Sequence, residues 1–135
     1  MSKFTKVKQE DDLVSVFKPV FEVVNGLSKY ISILIMVTKS SYSGNFYILD
    51  DRGKRVTNTV LEEDDRVDGN KWDKAVERVA KTLRTGKGGA EAAYDPDCLN
   101  VYTVTVNNGH VHIEIQYLDD TGHERFNIRK KWMLG

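Results

Sequence analysis

The sequence predicts one α+β domain over residues 1–135, an antiparallel sheet of four or five strands with two helices packed on one face. Three observations predict it. Two segments repeat apolar residues at steps of three and four, which is a helix period. Several short runs rich in β-branched residues are divided by turn signals. One such turn, Asn108-Gly109, separates two alternating runs and is the strongest two-residue hairpin signal.

The first helix is expected over 10–27, where Leu13, Val16, Phe17, Val20, Phe21, Val24 and Leu27 form the stripe. Asp11 and Asp12 suit its first turn, and Asn25-Gly26 suit its end. Pro19 breaks the pattern, because inside a helix it removes one hydrogen bond and clashes one turn back. The spacing therefore predicts a kink there, or a helix that begins in earnest at Pro19. Residues 30–38, YISILIMVT, are apolar on both faces and read as a central strand. A second strand is expected at 45–50, a turn with Gly53 at its tip, and a third strand at 55–61.

An acidic connection, 62–69, leads to the second helix, NKWDKAVERVAKTLRTG. Trp72, Ala75, Val76, Val79, Ala80 and Leu83 form its stripe, and Gly86 stops it. A loop follows at 87–98. The strands 100–106 and 110–118 then flank the Asn108-Gly109 turn, and the pattern of 123–134 leaves strand and short helix open.

Taking Asn108-Gly109 as a two-residue type I′ turn fixes the register of that hairpin. Val106 opposes Val111, Thr105 opposes His112, Val104 opposes Ile113 and Thr103 opposes Glu114. One face is then Tyr102, Val104, Val106, Val111, Ile113 and Ile115. The other is Thr103, Thr105, His110, His112, Glu114 and Gln116. This split explains both histidines as residues of a wet sheet face. A zinc or iron site needs three or four converging ligands, and the sequence assures no ligand beyond His110, His112 and Glu114. No metal is expected; a partner-binding role for this polar face is the functional reading.

Composition excludes further classes. Lys plus Arg and Asp plus Glu are both 20, so the net charge is zero and direct nucleic-acid binding is not expected, although a local basic patch is allowed. Cys98 is the single cysteine, which rules out an internal disulfide and fits a reducing, cytoplasmic setting. The charged start MSKFTKVKQEDD has no apolar core and reads as no signal peptide. The longest apolar run, YISILIMV, is too short for a membrane span, which needs about 20 residues. TGKGG at 85–89 follows a helix instead of opening one, so it reads as a helix stop and not a phosphate cradle. No Ser-His-Asp order, no H-E-x-x-H and no G-x-G-x-x-G occurs, so no catalytic residue and no cofactor is expected.

Acid is concentrated at Asp50, Asp51, Glu62, Glu63, Asp64, Asp65 and Asp68. Its plain reading is a solvated loop before a helix; its functional reading is a surface that docks on a basic partner. The tail RKKWM sets Arg129, Lys130 and Lys131 beside Trp132, which is expected to pin the tail on the core.

The layout of the chain resembles the YezG-like immunity proteins of bacterial polymorphic-toxin systems. The matching stretches are DDLVSVFKPVFEVV, GNFYILDD, WDKAVERVAKTL, NVYTVTVNNGHVHIEIQYLDD and RFNIRKKWM, with Arg129 and Trp132 as the pointed match in the tail. The resemblance implies a small cytosolic protein that binds one cognate toxin, with a nuclease as the toxin class, and blocks it stoichiometrically. Such proteins often carry a net negative charge; this chain is neutral, which tells against an acidic nucleic-acid-mimic mechanism. The expectation is therefore an immunity protein, with Asp50, Asp51, Glu62, Glu63, Asp64, Asp65, Asp68, His110, His112 and Glu114 as toxin-binding candidates. The alternative is a small adaptor or ligand-binding module that uses the polar sheet face.

Overall fold

The computed structural model describes residues 2–8, 11–86 and 93–134, with side chains described from Leu13 onward. Six strands form one antiparallel sheet: β1 (Ser2–Lys8), β2 (Tyr30–Val37), β3 (Tyr42–Leu49), β4 (Arg55–Thr57), β5 (Leu99–Asn107) and β6 (His110–Leu118). Their order across the sheet is β1-β6-β5-β2-β3-β4, so the apolar strand β2 is interior. The helices are α1 (Asp11–Val16), α2 (Lys18–Val24), α3 (Asn58–Glu63), α4 (Gly69–Thr85) and α5 (Glu124–Leu134). The expected α+β antiparallel architecture is the one observed.

The main core lies between one sheet face and the layer α1, α2, α3 and α4. Ile31, Ile33, Ile35 and Val37 of β2 meet Phe17 and Val20 from the first two helices and Trp72, Val76, Val79 and Leu83 from α4. All six apolar positions of the predicted α4 stripe are buried. Asp68 caps the helix by accepting from the amides of Asn70 and Lys71, and Gly86 closes it at φ 70°, a left-handed conformation that glycine adopts without a Cβ clash. The Trp72 ring meets Phe46 edge-on at 4.6 Å between centroids, and its Nε1 donates to the Gly44 carbonyl at 3.0 Å. That approach requires Gly44: a Cβ built there would lie 2.5 and 2.8 Å from the two Val76 methyl groups.

The opposite, outer face holds a second, smaller cluster. Leu34, Met36, Leu99, Val101 and Leu118 are buried there, with Ile128 and Trp132 of α5 packed on them. This is why β2 is apolar on both faces: its odd-numbered residues face the helical layer and its even-numbered ones face α5.

The break expected at Pro19 is present: the first helix is interrupted at Phe17 between α1 and α2, and Pro19 sits in the first turn of α2, where its missing amide costs nothing. Three departures from the sequence expectation have physical causes. The strand expected over 55–61 ends at Thr57. The Asn58 side chain takes the next ladder position, its Oδ1 accepting from Phe46 N at 3.1 Å, and the backbone turns into α3, which contains Glu62 and Glu63. The strand at 45–50 begins earlier, at Tyr42. Finally, the sheet gains β1 at its edge, antiparallel to β6. Its lysines conceal it in the sequence, yet lysine is a common guard of strand edges. The tail resolves as the helix α5, on the face opposite the other helices. Residues 87–92, part of the expected loop and of TGKGG, lie outside the described residues.

Gly44→Ala should cost about 1–3 kcal/mol in urea unfolding, since overpacking of that size displaces α4. The double variant Gly44→Ala with Val76→Ala should be less unstable than the sum of the two single variants. Strict additivity would show that the α4–β3 approach is not limited by this contact.

Candidate functional site

The hairpin that carries the two histidines has the expected register at every pair, from Asn107 opposite His110 to Thr103 opposite Glu114. Asn108 at φ 50° and Gly109 at φ 82° make the turn, both in the left-handed region that a type I′ turn needs. The split between faces follows. Val104, Ile113 and Ile115 are in the main core, while His110 and Glu114 are exposed and His112 is half-buried on the outer face. Among the described residues no group of three or more His, Cys, Asp or Glu side chains is placed to hold a metal ion.

α5 covers only part of the outer face, and what remains is a cleft of about 510 Å³. Its floor is Ser32 of β2, Thr103 and Thr105 of β5, and Glu114 and Gln116 of β6; Tyr30, Arg55, Lys131 and Trp132 line it as well. Trp132 forms one wall and is held there by two contacts. Its Nε1 donates to Ser32 Oγ at 2.8 Å, and its ring lies 5.0 Å from that of Tyr47. Arg55 sits over the Tyr47 ring at 5.1 Å and donates from Nη1 to the Met133 carbonyl at 2.6 Å. It thereby satisfies a carbonyl that the end of α5 leaves free. Tyr30 stacks beside Tyr47 at 6.4 Å. Burial, and then the neighbouring Tyr47, pushes the Tyr30 hydroxyl above its ordinary value, so it stays protonated at neutral pH as a hydrogen-bonding group.

The acidic candidates divide by role. Asp50 Oδ1 accepts from the amides of Arg52 and Lys54 and so braces the β3–β4 turn. Asp68 is the cap of α4, and Glu62 accepts from Asn58 Nδ2, which holds the side chain that ends β4. Asp51, Glu63, Asp64 and Asp65 are exposed and make no hydrogen bond from their side chains among the described residues. These four are the acids with no structural task. Asp50 and Asp51 line a second cleft, of about 850 Å³, together with Tyr30, Lys29 and Arg66. Arg66 belongs to the loop that carries Asp64 and Asp65.

Tyr30 lines both clefts. Two of the acids, Asp50 and Asp51, and the polar sheet face, separate sets in the sequence, therefore meet at one half-buried aromatic ring at the start of β2. The expected residues on either side are present, but Tyr30, Arg55 and Trp132 carry the geometry, and the sequence singled out Trp132 alone. One overlooked signal concerns α5. Thr121-x-x-Glu124 has the spacing of a capping box, but α5 begins at Glu124, whose carboxylate instead braces the turn ahead of the helix by accepting from Thr121 N at 3.1 Å and from Thr121 Oγ1 at 2.6 Å. Those bonds hold the Glu124 carboxyl below its ordinary value. Cys98 is buried within the fold, donating to Asp95 at 3.3 Å.

Trp132→Ala should release α5: amide exchange over 124–134 should rise sharply while β2 and β5 stay protected. Trp132→Phe keeps a ring but loses the bond to Ser32, so α5 should remain docked at a cost of about 0.5–1.5 kcal/mol. Equal protection of 124–134 in wild type and Trp132→Ala would show that the contacts described here do not hold the helix.

Comparison of the chain with protein-family models, with curated proteins and with solved structures finds no match.

Proposed function

We propose that the chain is an immunity protein that neutralises a cognate toxin by stoichiometric binding, through the continuous surface that runs from Asp51 over Tyr30 to Thr105 and Glu114. The observation that carries this reading is the placement of Tyr30 at the junction of the two clefts. Protein interfaces concentrate binding energy in aromatic and arginine side chains ringed by polar residues. Here Tyr30, Arg55 and Trp132 are ringed by threonines, Glu114 and exposed carboxylates. The layout resemblance to YezG-like immunity proteins, drawn from the order of elements and from Arg129 and Trp132, points to the same class. A nuclease toxin presents a basic surface for its polyanionic substrate, and the four uncommitted acids Asp51, Glu63, Asp64 and Asp65 are suited to it.

A second reading, a small adaptor or ligand-binding module, rests on the 510 Å³ outer cleft with its polar floor and the indole wall of Trp132. It differs in its prediction: a small ligand would perturb Trp132 fluorescence, and neutralising the acidic rim would leave binding unchanged.

The test is co-expression with a candidate toxin domain, sought first in the gene next to this one, in a sensitive host, with binding kinetics at two ionic strengths. Replacing Asp51, Asp64 and Asp65 by Asn and Glu63 by Gln removes charge and leaves the braces Asp50, Glu62 and Asp68 in place. Asn also tolerates the φ of 57° that Asp65 adopts. Thermal stability should be nearly unchanged. Association should slow about tenfold at low salt, and the difference should shrink at high salt. Tyr30→Ala should instead raise the dissociation rate about tenfold or more. Full protection and wild-type rates in both variants would sink the reading.

A further inference from the structure

α4 sorts its charges by face. At 100° per residue, Lys71, Lys74, Arg78 and Lys81 fall within a sector of about 80° on the side toward α2. Asp73 and Glu77 fall on the other flank, where Glu77 accepts from the Tyr42 hydroxyl at 3.1 Å. Folding stability does not explain this. Lys71–Lys74, Lys74–Arg78 and Arg78–Lys81 are like-charge neighbours at helical spacing and repel one another; Asp73 has no member of the row at helical spacing, and Glu77, which has Lys74 and Lys81, is hydrogen-bonded to Tyr42 instead.

These cations also line a concavity. Arg66, Lys71, Lys74 and Arg78 border a groove of about 460 Å³ between α2 and α4, walled on the α2 side by Pro19, Glu22 and Val23. A smaller recess that shares Pro19, Glu22 and Arg78 continues it past Lys18. Among the described residues none of these five cationic head groups makes an ion pair or hydrogen bond. Two carboxylates also line the groove. Asp68 is taken up by the first amides of α4, which leaves Glu22 against five cations.

We propose that the α2–α4 groove binds a linear phosphate polyanion, the backbone of a single-stranded nucleic acid. From Lys71 to Arg78 the row that lines the groove runs about 10 Å, in steps of about 4.5 and 6 Å, and Lys81 continues it beyond the groove; that is longer than one phosphate and matched to a chain of uniform charge. No aromatic side chain lines the groove to stack on bases, so recognition is of the backbone and independent of sequence. The expectation of no direct nucleic-acid binding rested on a net charge of zero. That average hides the patch, because acids elsewhere in the chain, Asp51 and Glu63–Asp65 among them, cancel it in the sum. This site meets the inhibitor surface at Arg66, which borders both, but Lys71, Lys74 and Arg78 line the groove alone and its test does not depend on the inhibitor reading.

The test is fluorescence anisotropy of a labelled twelve-nucleotide RNA of mixed sequence with the intact chain, from low to physiological salt. Binding should appear at low salt, with a log–log salt slope of about −2 to −3 for three or four phosphate contacts. Lys71→Gln, Lys74→Gln and Arg78→Gln together should weaken it at least tenfold and remove about 2 from the slope. Arg129→Gln with Lys130→Gln, on α5, should change little. Tripolyphosphate should compete only at far higher phosphate concentration. No binding at low salt, or equal loss in the α5 variant, would mean a solvated face. Competition by tripolyphosphate at equal phosphate would overturn the linear-chain claim, and equal competition by polyglutamate would point to an acidic protein instead.

Discussion

Burial of β2 on both faces is the constraint from which the rest of the molecule follows. The strand is apolar throughout its length apart from Ser32, so each side needs a cover. One side takes the four-helix layer and the bulk of the core. The other takes α5, which buries Leu34 and Met36 but no residue of its own completely. A strand with two covers must lie inside the sheet, and β5 and β3 pair on its two edges accordingly.

The unequal covers place the site. The inner layer is continuous, and Gly44 lets α4 approach β3 closely enough for Trp72 to reach a strand carbonyl. The outer cover is short. It ends where Trp132 meets Ser32 and Tyr47, and beyond that point β2, β5 and β6 present Tyr30, Thr103, Thr105, Glu114 and Gln116 to the cleft. The polar face of the hairpin is thus one floor of a cleft with an aromatic wall and an arginine at its margin. Ser32 belongs to both accounts: its hydroxyl is the polar break in the strand, and it receives the indole N–H that fixes the wall.

Most of this layering was legible in the sequence, because burial and period are tightly linked. The α4 stripe, the register around Asn108-Gly109 and the two-sided strand all follow from where apolar residues recur. The misses lie where a side chain, and not a pattern, decides. Asn58 ends β4 by supplying a ladder acceptor, and Glu124 braces the turn before α5 by accepting from Thr121; neither alters the hydrophobic period. The site was half legible. Acid at 50–68 and polar residues at 110–116 stood out by composition, but only the fold shows that Asp50, Glu62 and Asp68 are braces and that Tyr30 joins the two sets. Such tasks depend on residues far apart in sequence, as with Trp132 and Ser32.

The central claim is that the surface around Tyr30 is where a partner docks. Amide hydrogen exchange of the chain alone and in complex with a partner that it binds tests it directly. Protection should gather in the segments that border Tyr30, at 28–30, 50–54 and 105–114, with α2 and the exposed side of α4 unchanged. Protection confined to α2 and α4, or no change around Tyr30 in a complex that forms, would contradict it.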